Sequence, residues 1–291
     1  MRDVLVIGAS GLLGQALARE AGARGDRVTG TYSGEPVDGL RPLDLADTDA
    51  GGRLIADTRP ALVALAAAMT HVDGCEARPD LAHRLNALAP GTVAEACRGI
   101  GARLVHFSTD YVFDGREGPS DEDKAPNPLS VYGRTKLEGE RNALAALPSA
   151  LVIRTCANFG WNRLRGKENS VTTVVNRLRR GEPVPLFTDQ WVSPSYVPHV
   201  ARAALDLLEK GASDVVHVAT AVCHTRLEAG EAVADVFRLP RELLRPTTMA
   251  GARLAAPRPA KSCLASRRLG RFPDIPVPTF REALEDMRRS E

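Results

Sequence analysis

Runs of apolar residues, four to eight long, alternate along this chain with stretches in which apolar residues recur every three or four positions. "VLVIG" (4–8) is a continuous apolar run that meets glycines and opens into "LLGQALAREAGARG", a helical pattern ending at Gly25. "RVTGTYS" (27–33) predicts a second strand, and a third precedes Asp44. "ALVALAAA" (61–68) is again of strand length. "LAHRLNALAPGTVAEACRGIG" (81–101) has the helical period and is broken or kinked near Pro90. A strand over 102–109, a helix over 130–147 and a strand over 150–155 follow. Strands apolar on both faces, with helices between them, predict an α/β fold: a doubly wound parallel sheet covered on both sides.

The second half is less regular. "SVTTVVNRLRRG" (170–181) and "VPHVARAALDLLEKG" (197–211) read as helices, and "DVVHVAT" (214–220) as one more strand of the same sheet. From Pro240 the chain is rich in Pro and Arg, with apolar residues interleaved, and it closes on the helix "FREALEDMRR". That composition predicts a small irregular lobe wrapped on the sheet rather than a linker. The expected division is 1–155 as one domain, with 181–220 returning to its sheet, and 156–180 with 221–291 as the lobe.

Composition narrows the function. The 291 residues are 44% hydrophobic and 25% charged, enough for one full domain and a smaller unit. The 38 basic and 36 acidic residues are interspersed, giving a net charge of +2 and no patch that would recruit nucleic acid. No apolar run approaches the roughly 20 residues of a membrane span, and Met1-Arg2-Asp3 leads straight into a strand rather than a signal peptide. The five cysteines (75, 97, 156, 223 and 263) are odd in number, widely spaced and without C-x-x-C. They predict no disulfide framework, no zinc site and a cytoplasmic protein. The six histidines form no metal motif.

Chemistry enters with "GASGLLG". Gly8, Gly11 and Gly14 follow a strand and open a helix. Glycines there permit a tight turn and close backbone approach to a pyrophosphate, and the helix N-terminus supplies free N–H groups. Ser10, Leu12 and Leu13 share that turn, so Gly8 to Gly14 is a candidate dinucleotide site. A carboxylate some 20 residues past the glycines would bind the 2′-hydroxyl of NAD. Here the second strand ends in Thr31-Tyr32-Ser33 without an acid, which favours NADPH and leaves NADH possible. Asp44-Leu45 could flank the adenine, or Asp44 could simply cap a helix.

"VYGRTK" sets Tyr132 and Lys136 four apart, on one face of a helix that follows the strand ending in Ser108-Thr109. A cation about 4 Å from a phenol, at an effective dielectric of about 20, favours the phenolate by about 4 kcal/mol before desolvation. Such a pair could bring a tyrosine toward neutral pH, where it can give or take a proton. A hydroxyl at Thr109 would stand at the carboxyl end of a parallel sheet, where such folds bind ligands.

Taken together, these segments resemble an extended short-chain dehydrogenase/reductase on a Rossmann sheet. More closely, "GASGLLGQAL", "AAAMTHVDGCE", "FSTDYVFDG", "YGRTKLEGE", "LVIRT", "FTDQWVSPSYVPHVA" and "RPAKSCL" resemble the dTDP-4-dehydrorhamnose reductase family over residues 5 to 264. The resemblance implies an NADPH-dependent oxidoreductase acting on a keto group, most simply at C4, of a nucleotide-activated deoxysugar. It leaves room for a homodimer. It implies that Thr109 bonds the substrate carbonyl and that Tyr132 donates the proton. Lys136 would hold the nicotinamide ribose and lower the Tyr132 pKa. Ala66, Ala67 and Ala68 would line the cofactor. Asp110 and Tyr111 would border the substrate, together with Met69, Thr70, Ala157 and Asn158. Two positions depart from the family pattern: Met69 stands for a tyrosine and Ala157 for a tryptophan, which predicts a reshaped pocket that Trp161 could compensate. Two other readings stand beside it. One is a dinucleotide-binding subunit without turnover, like the β subunit of methionine adenosyltransferase. The other is an epimerase or dehydratase, although dehydratases typically add an acid pair where this chain has Asp110-Tyr111.

Overall fold

The computed structural model describes residues 1–252 and 254–291. Seven parallel strands form the central sheet: β1 (Asp3–Ile7), β2 (Arg27–Tyr32), β3 (Arg41–Pro42), β4 (Leu62–Leu65), β5 (Arg103–Thr109), β6 (Leu151–Thr155) and, beyond a long excursion, a last strand at Asp214–His217. Their order is β3-β2-β1-β4-β5-β6-last. The order reverses between β1 and β4, so the carboxyl ends of those two strands flank the crevice where such sheets take ligands.

The helices cover both faces, as all-apolar strands require. On one side α1 (Leu12–Ala23) packs with α8 (Val197–Glu209) over Val4, Val6, Val105 and Ile153. On the other, α2 (Ala50–Thr58), α5 (Ala89–Ile100) and α6 (Val131–Ala146) cover Leu5, Ile7, Val63 and Leu104. Between β4 and α5 lie α3 (Val72–Ala77), α4 (Pro79–His83) and a π-turn at Arg84–Leu88. The interruption expected near Pro90 is this π-turn. Pro90 itself lies in the first turn of α5, where its missing N–H leaves no bond unmade. The π-turn aims the Asn86 amide inward, where it clasps Met69 by both backbone groups: Met69 N–H donates to Oδ1 at 2.8 Å and Asn86 Nδ2 donates to the Met69 carbonyl at 3.0 Å.

A second core belongs to the lobe. It joins α7 (Ser170–Arg179), β7 (Val184–Phe187), α9 (Arg226–Phe237) and α10 (Phe280–Arg289) around Phe159, Val175, Phe237 and Phe280. β7 pairs with a strand at Leu244–Thr247, not with the central sheet. β7 thus lies outside the central sheet, and α8, from Val197, is the next element that packs on it. A two-residue strand, β8 (Trp191–Val192), pairs antiparallel with His224–Thr225 at the head of α9. The sequence did not predict α2 or α9. α9 carries a Thr225/Glu228 capping box and a weakly contrasted face, because both of its sides meet protein. Among the described residues no helix is long and apolar enough to cross a membrane.

Candidate active site

The glycine turn is built for close approach. Gly8 has φ of +89°, and a Cβ placed there would lie 2.8 Å from Ala67 N. A Cβ on Gly14 would lie 2.1 Å from the Gly8 carbonyl. The turn is pinned to β2 by Thr31, whose hydroxyl accepts from Gly8 N–H at 3.0 Å and whose carbonyl accepts from Ser10 N–H at 3.3 Å. Gly11 begins α1 without a side-chain cap, leaving first-turn N–H groups free for an anion. Leu12 is half-buried beside Gly160, while Leu13 is buried in the core. Ala66, Ala67 and Ala68 run on from β4 as a partly exposed floor. These residues fit a dinucleotide. Leu45 does not have a free side chain for adenine: it is buried in the sheet core, and Asp44 is exposed and accepts from Ala46 N–H at 2.9 Å, closing a local turn. Tyr32 ends β2 half-buried, and Ser33 follows it exposed.

Thr109 is the last residue of β5. Its hydroxyl donates to Asp110 Oδ1 at 3.0 Å and accepts from Tyr111 N–H at 3.2 Å. Across from it, α6 starts at its N-cap Ser130, whose Oγ accepts from Gly133 N–H at 3.1 Å. A Cβ on Gly133 would lie 2.2 Å from the Tyr111 carbonyl, so only glycine lets this helix turn rest on the Thr109–Val112 turn. Tyr132 is thereby set edge-on to Tyr111, with ring centroids 5.7 Å apart at 71°. Burial of its hydroxyl among protein atoms pushes the Tyr132 pKa well above the usual range, with the Thr109 hydroxyl working against it. The phenol therefore carries its proton at neutral pH.

Lys136 is 2% exposed. Its ammonium points under the site, donates to the Phe107 carbonyl at 2.6 Å and lies 3.5 Å from His106 Nε2. Burial pushes its pKa down to about 8, against the pull of Glu140. The same burial holds His106 well below its ordinary value. Desolvation dominates both shifts, so without a ligand burial outweighs whatever draws the Tyr132 phenol toward neutral pH. Beneath Lys136, Glu140 takes both forks of Arg154 at 2.9 and 2.7 Å, and the Arg154 guanidinium lies 5.1 Å over the Phe113 ring.

Asp110 is buried, and burial raises its carboxyl pKa, with Ser262, Thr109 and Cys156 opposing in that order. Ser262 Oγ donates to Asp110 Oδ2, so "STDYVFDG" and "RPAKSCL" meet at one carboxyl. The strap 258–264 is held along its length. Lys261 N–H donates to the Gly115 carbonyl at 2.9 Å, Ser262 N–H to Trp191 at 2.9 Å, and Arg258 pairs with Asp73 at 2.8 Å. Cys263 in this strap forms a disulfide with Cys223, with Cα atoms 5.8 Å apart. That corrects the expectation of no disulfide. Their separation of 40 residues is closed by the lobe fold, which cysteine spacing alone does not reveal.

The remaining positions fall differently. Thr70 is exposed, but Met69 is buried against Cys75, Ala82 and Tyr132, shaping the site from behind. Ala157 has φ of +42° and packs on the Val112–Phe113 cluster. Asn158 keeps a buried Oδ1 without a partner, an acceptor available to a ligand. Trp161 does not compensate for Ala157. Its Nε1 donates to the Met287 carbonyl at 2.9 Å and its ring meets Phe237 in the lobe core. Two residues beside the site had not been singled out: Trp191, and Arg226, whose Nε donates to Gln190 Oε1 at 3.1 Å and whose charge reaches Asp110 and Tyr111. Trp191 lay inside a matching segment; Arg226 lay on a helix the pattern did not show. Among the described residues no group of three or more His, Cys, Asp or Glu could hold a metal.

Residues 1–290 match the family model described as RmlD substrate binding domain. The chain is 38% identical over 267 residues to the probable low-salt glycan biosynthesis reductase Agl14 of Haloferax volcanii, covering 89% of this chain and 88% of that one. It is 34% identical over 287 residues to the dTDP-4-dehydrorhamnose reductase of Mycolicibacterium smegmatis, covering 97% and 84%. It is also 35% identical over 254 residues to methionine adenosyltransferase 2 subunit beta of Xenopus tropicalis, covering 85% and 75%. The crystal structure of a Bacillus anthracis dTDP-4-dehydrorhamnose reductase in complex with NADP superposes with a TM-score of 0.89 at 25% identity, over 100% of this chain and 99% of that one.

Proposed function

The chain belongs to the RmlD substrate binding domain family, and on that premise we propose that it is an NADPH-dependent reductase of a keto group, most simply C4, on a nucleotide-activated deoxysugar. The observation that carries this reading is Tyr132 seated beside Thr109 at the carboxyl end of β5, two strands along the sheet from β1 and its glycine turn. Residues 1–155 and 197–217 would hold the dinucleotide, and the lobe the sugar nucleotide. The free N–H groups of Leu12 and Leu13 would take the pyrophosphate, Ala66 to Ala68 would lie along the nicotinamide half, and Lys136 would reach the ribose. The bound dinucleotide supplies the hydride. Tyr132 gives its proton to the alkoxide oxygen as it forms, and a donor in a dry site near that oxygen is worth about 10²–10⁴-fold. Thr109, held by Asp110, fixes where that oxygen sits. The partly exposed Tyr111 borders the sugar. A soluble supply of both substrates supports a cytoplasmic place.

The likeness to methionine adenosyltransferase 2 subunit beta favours a second reading, a subunit that binds the dinucleotide without turnover. The intact Thr109, Tyr132 and Lys136 weigh against it, since binding alone has no use for a proton donor. The acid pair typical of dehydratases is absent, because Asp110 is followed by Tyr111. A cofactor-fluorescence screen of 4-keto sugar nucleotides tests the reading. Oxidation of NADPH by at least one of them is expected, and no oxidation with any would hand the case to the binding subunit.

A further inference from the structure

The end of β2 carries no carboxylate, yet the structure brings a cation to it from elsewhere. The loop after β6, residues 161–169, crosses over the start of α1 and reaches the β2 end. Gln15 on α1 holds it there: Nε2 donates to Asn162 Oδ1 at 2.7 Å, and Oε1 accepts from Arg163 N–H at 3.1 Å and Leu164 N–H at 3.3 Å. Asn162 Oδ1 also accepts from Arg165 N–H at 3.2 Å. The loop is thus tied to the helix whose N-terminus would face the pyrophosphate. From this anchor the Arg165 side chain extends to the segment after β2, where its Nη2 donates to the carbonyls of Ser33, at 3.4 Å, and Glu35.

In this class of sheet the residue at the end of the second strand decides between the two dinucleotides. A carboxylate there takes the ribose 2′-hydroxyl, and an arginine nearby accommodates a 2′-phosphate. We infer that Arg165 is that arginine, supplied across the chain from the loop after β6 instead of from β2, and that it selects a 2′-phosphorylated dinucleotide. The inference rests on the dinucleotide site proposed above and adds the residue that sets its preference.

Glu35 sharpens the assignment. It is one of two acids close after β2, the other being the exposed Asp38. Its carboxylate lies 3.5 Å from Arg165 Nη1, with side-chain exposures of 23% for Arg165 and 92% for Glu35. An ion pair with one partner that exposed holds weakly. A phosphate brings two charges and three acceptor oxygens and displaces it, whereas a ribose hydroxyl brings no charge and does not. Meanwhile Arg165 keeps Glu35 from acting as the acid that NAD would use. A planar guanidinium with two forked N–H groups suits a phosphate better than an ammonium would.

The test is fluorescence titration of NADPH and of NADH against the wild type, Arg165→Gln and Glu35→Gln at low salt, with a melting curve for each. Arg165→Gln is expected to weaken NADPH at least tenfold, to leave NADH within about twofold or tighten it, and to leave Tm unchanged. Glu35→Gln is expected to keep or tighten NADPH. Added salt should erode the NADPH advantage of the wild type and leave the variant indifferent. Equal weakening of both dinucleotides by Arg165→Gln would mean that the loop merely holds the site together, and no change in either would mean that Arg165 takes no part; each overturns the inference while leaving the reductase reading standing. A wild type that bound neither dinucleotide would overturn the reading of the site itself, and this inference with it.

Discussion

The ammonium of Lys136 donates to the carbonyl of Phe107 at 2.6 Å, two residues before Thr109 on the same strand. One bond thus ties α6 to β5 at the level of the site and fixes how far Tyr132 stands from Thr109. The charge that makes this bond is expensive to bury, and Glu140, itself clasped by Arg154, offsets only part of the cost.

That cost has a pH signature. The folded pKa of Lys136, about 8, lies below its ordinary 10.5. Between those values the unfolded chain holds a proton that the folded protein has lost. Stability therefore rises across that window, and the destabilisation is fully present below about pH 8. Lys136→Met should flatten the rise, read as Tm against pH for the two ligand-free proteins. If the ammonium reaches the ribose, NADPH affinity of the wild type should fall above pH 8, and Lys136→Met should be weak at every pH. An identical pH profile for wild type and variant would show that Lys136 does not titrate there.

Tyr132→Phe should separate chemistry from binding. The ring keeps its edge contact with Tyr111 and loses only the hydroxyl. Turnover should fall at least 100-fold, the low end of general acid catalysis. NADPH affinity and Tm should barely move. Wild-type turnover in the variant, on any substrate found by the screen, would remove Tyr132 as the proton donor.

The sheet was legible because its strands are apolar on both faces and its helices keep their period. β1, α1, α6 and α8 stand within two residues of their expected bounds. Short or two-faced elements were not legible. α2 is only nine residues long and opens on Ala50-Gly51-Gly52, too short and too glycine-rich to stand out as a helix, and α9 is covered on both sides, so it shows no clean stripe. The glycine turn and the Tyr132–Lys136 spacing could be read because local backbone geometry dictates them. The direction of the Lys136 side chain could not, because it is set by burial against β5. The Cys223–Cys263 pair, the Asp110–Ser262 bond and the reach of Arg165 join segments 40 to 152 residues apart, and only tertiary packing decides such contacts.

Ser262→Ala should weaken the join between strap and site. Asp110 is buried, and Ser262 is the strongest of the groups that hold its pKa down. Without that donor the carboxyl moves further up. Hydrogen bonds to charged groups are worth about 1.5–3 kcal/mol, so urea unfolding at neutral pH should show a loss of that order. Asp110 has a folded pKa above its unfolded value, so its burial destabilises at high pH and the loss shrinks as pH falls through the folded pKa. KM for the sugar nucleotide should rise more than kcat falls, because the strap borders the lobe side. Unchanged stability at both neutral and acid pH would mean the bond contributes nothing.

Ala157→Trp addresses which sugar is taken. Ala157 sits at φ of +42°, packed on Val112 and Phe113 and next to Asn158, whose Oδ1 is buried without a partner. The family resemblance places a tryptophan at this position, and neither Met69 nor Trp161 supplies such a ring: the first is packed behind Tyr132, the second in the lobe core. The wild type should therefore turn over dTDP-4-dehydrorhamnose poorly compared with a keto sugar that fills the space left open. The indole should narrow that space and shift kcat/KM toward dTDP-4-dehydrorhamnose, by about tenfold or more if it buries as much apolar surface as a ring usually does. The backbone strain at this position is already borne by alanine, so Tm should change little; a large drop would mean that the ring collides with the Val112–Phe113 cluster, and the narrower Ala157→Leu then carries the comparison. Efficient turnover of dTDP-4-dehydrorhamnose by the unaltered protein would show that the missing ring does not govern selection, and would shift attention to Trp191 and Arg226 on the lobe side of the cleft.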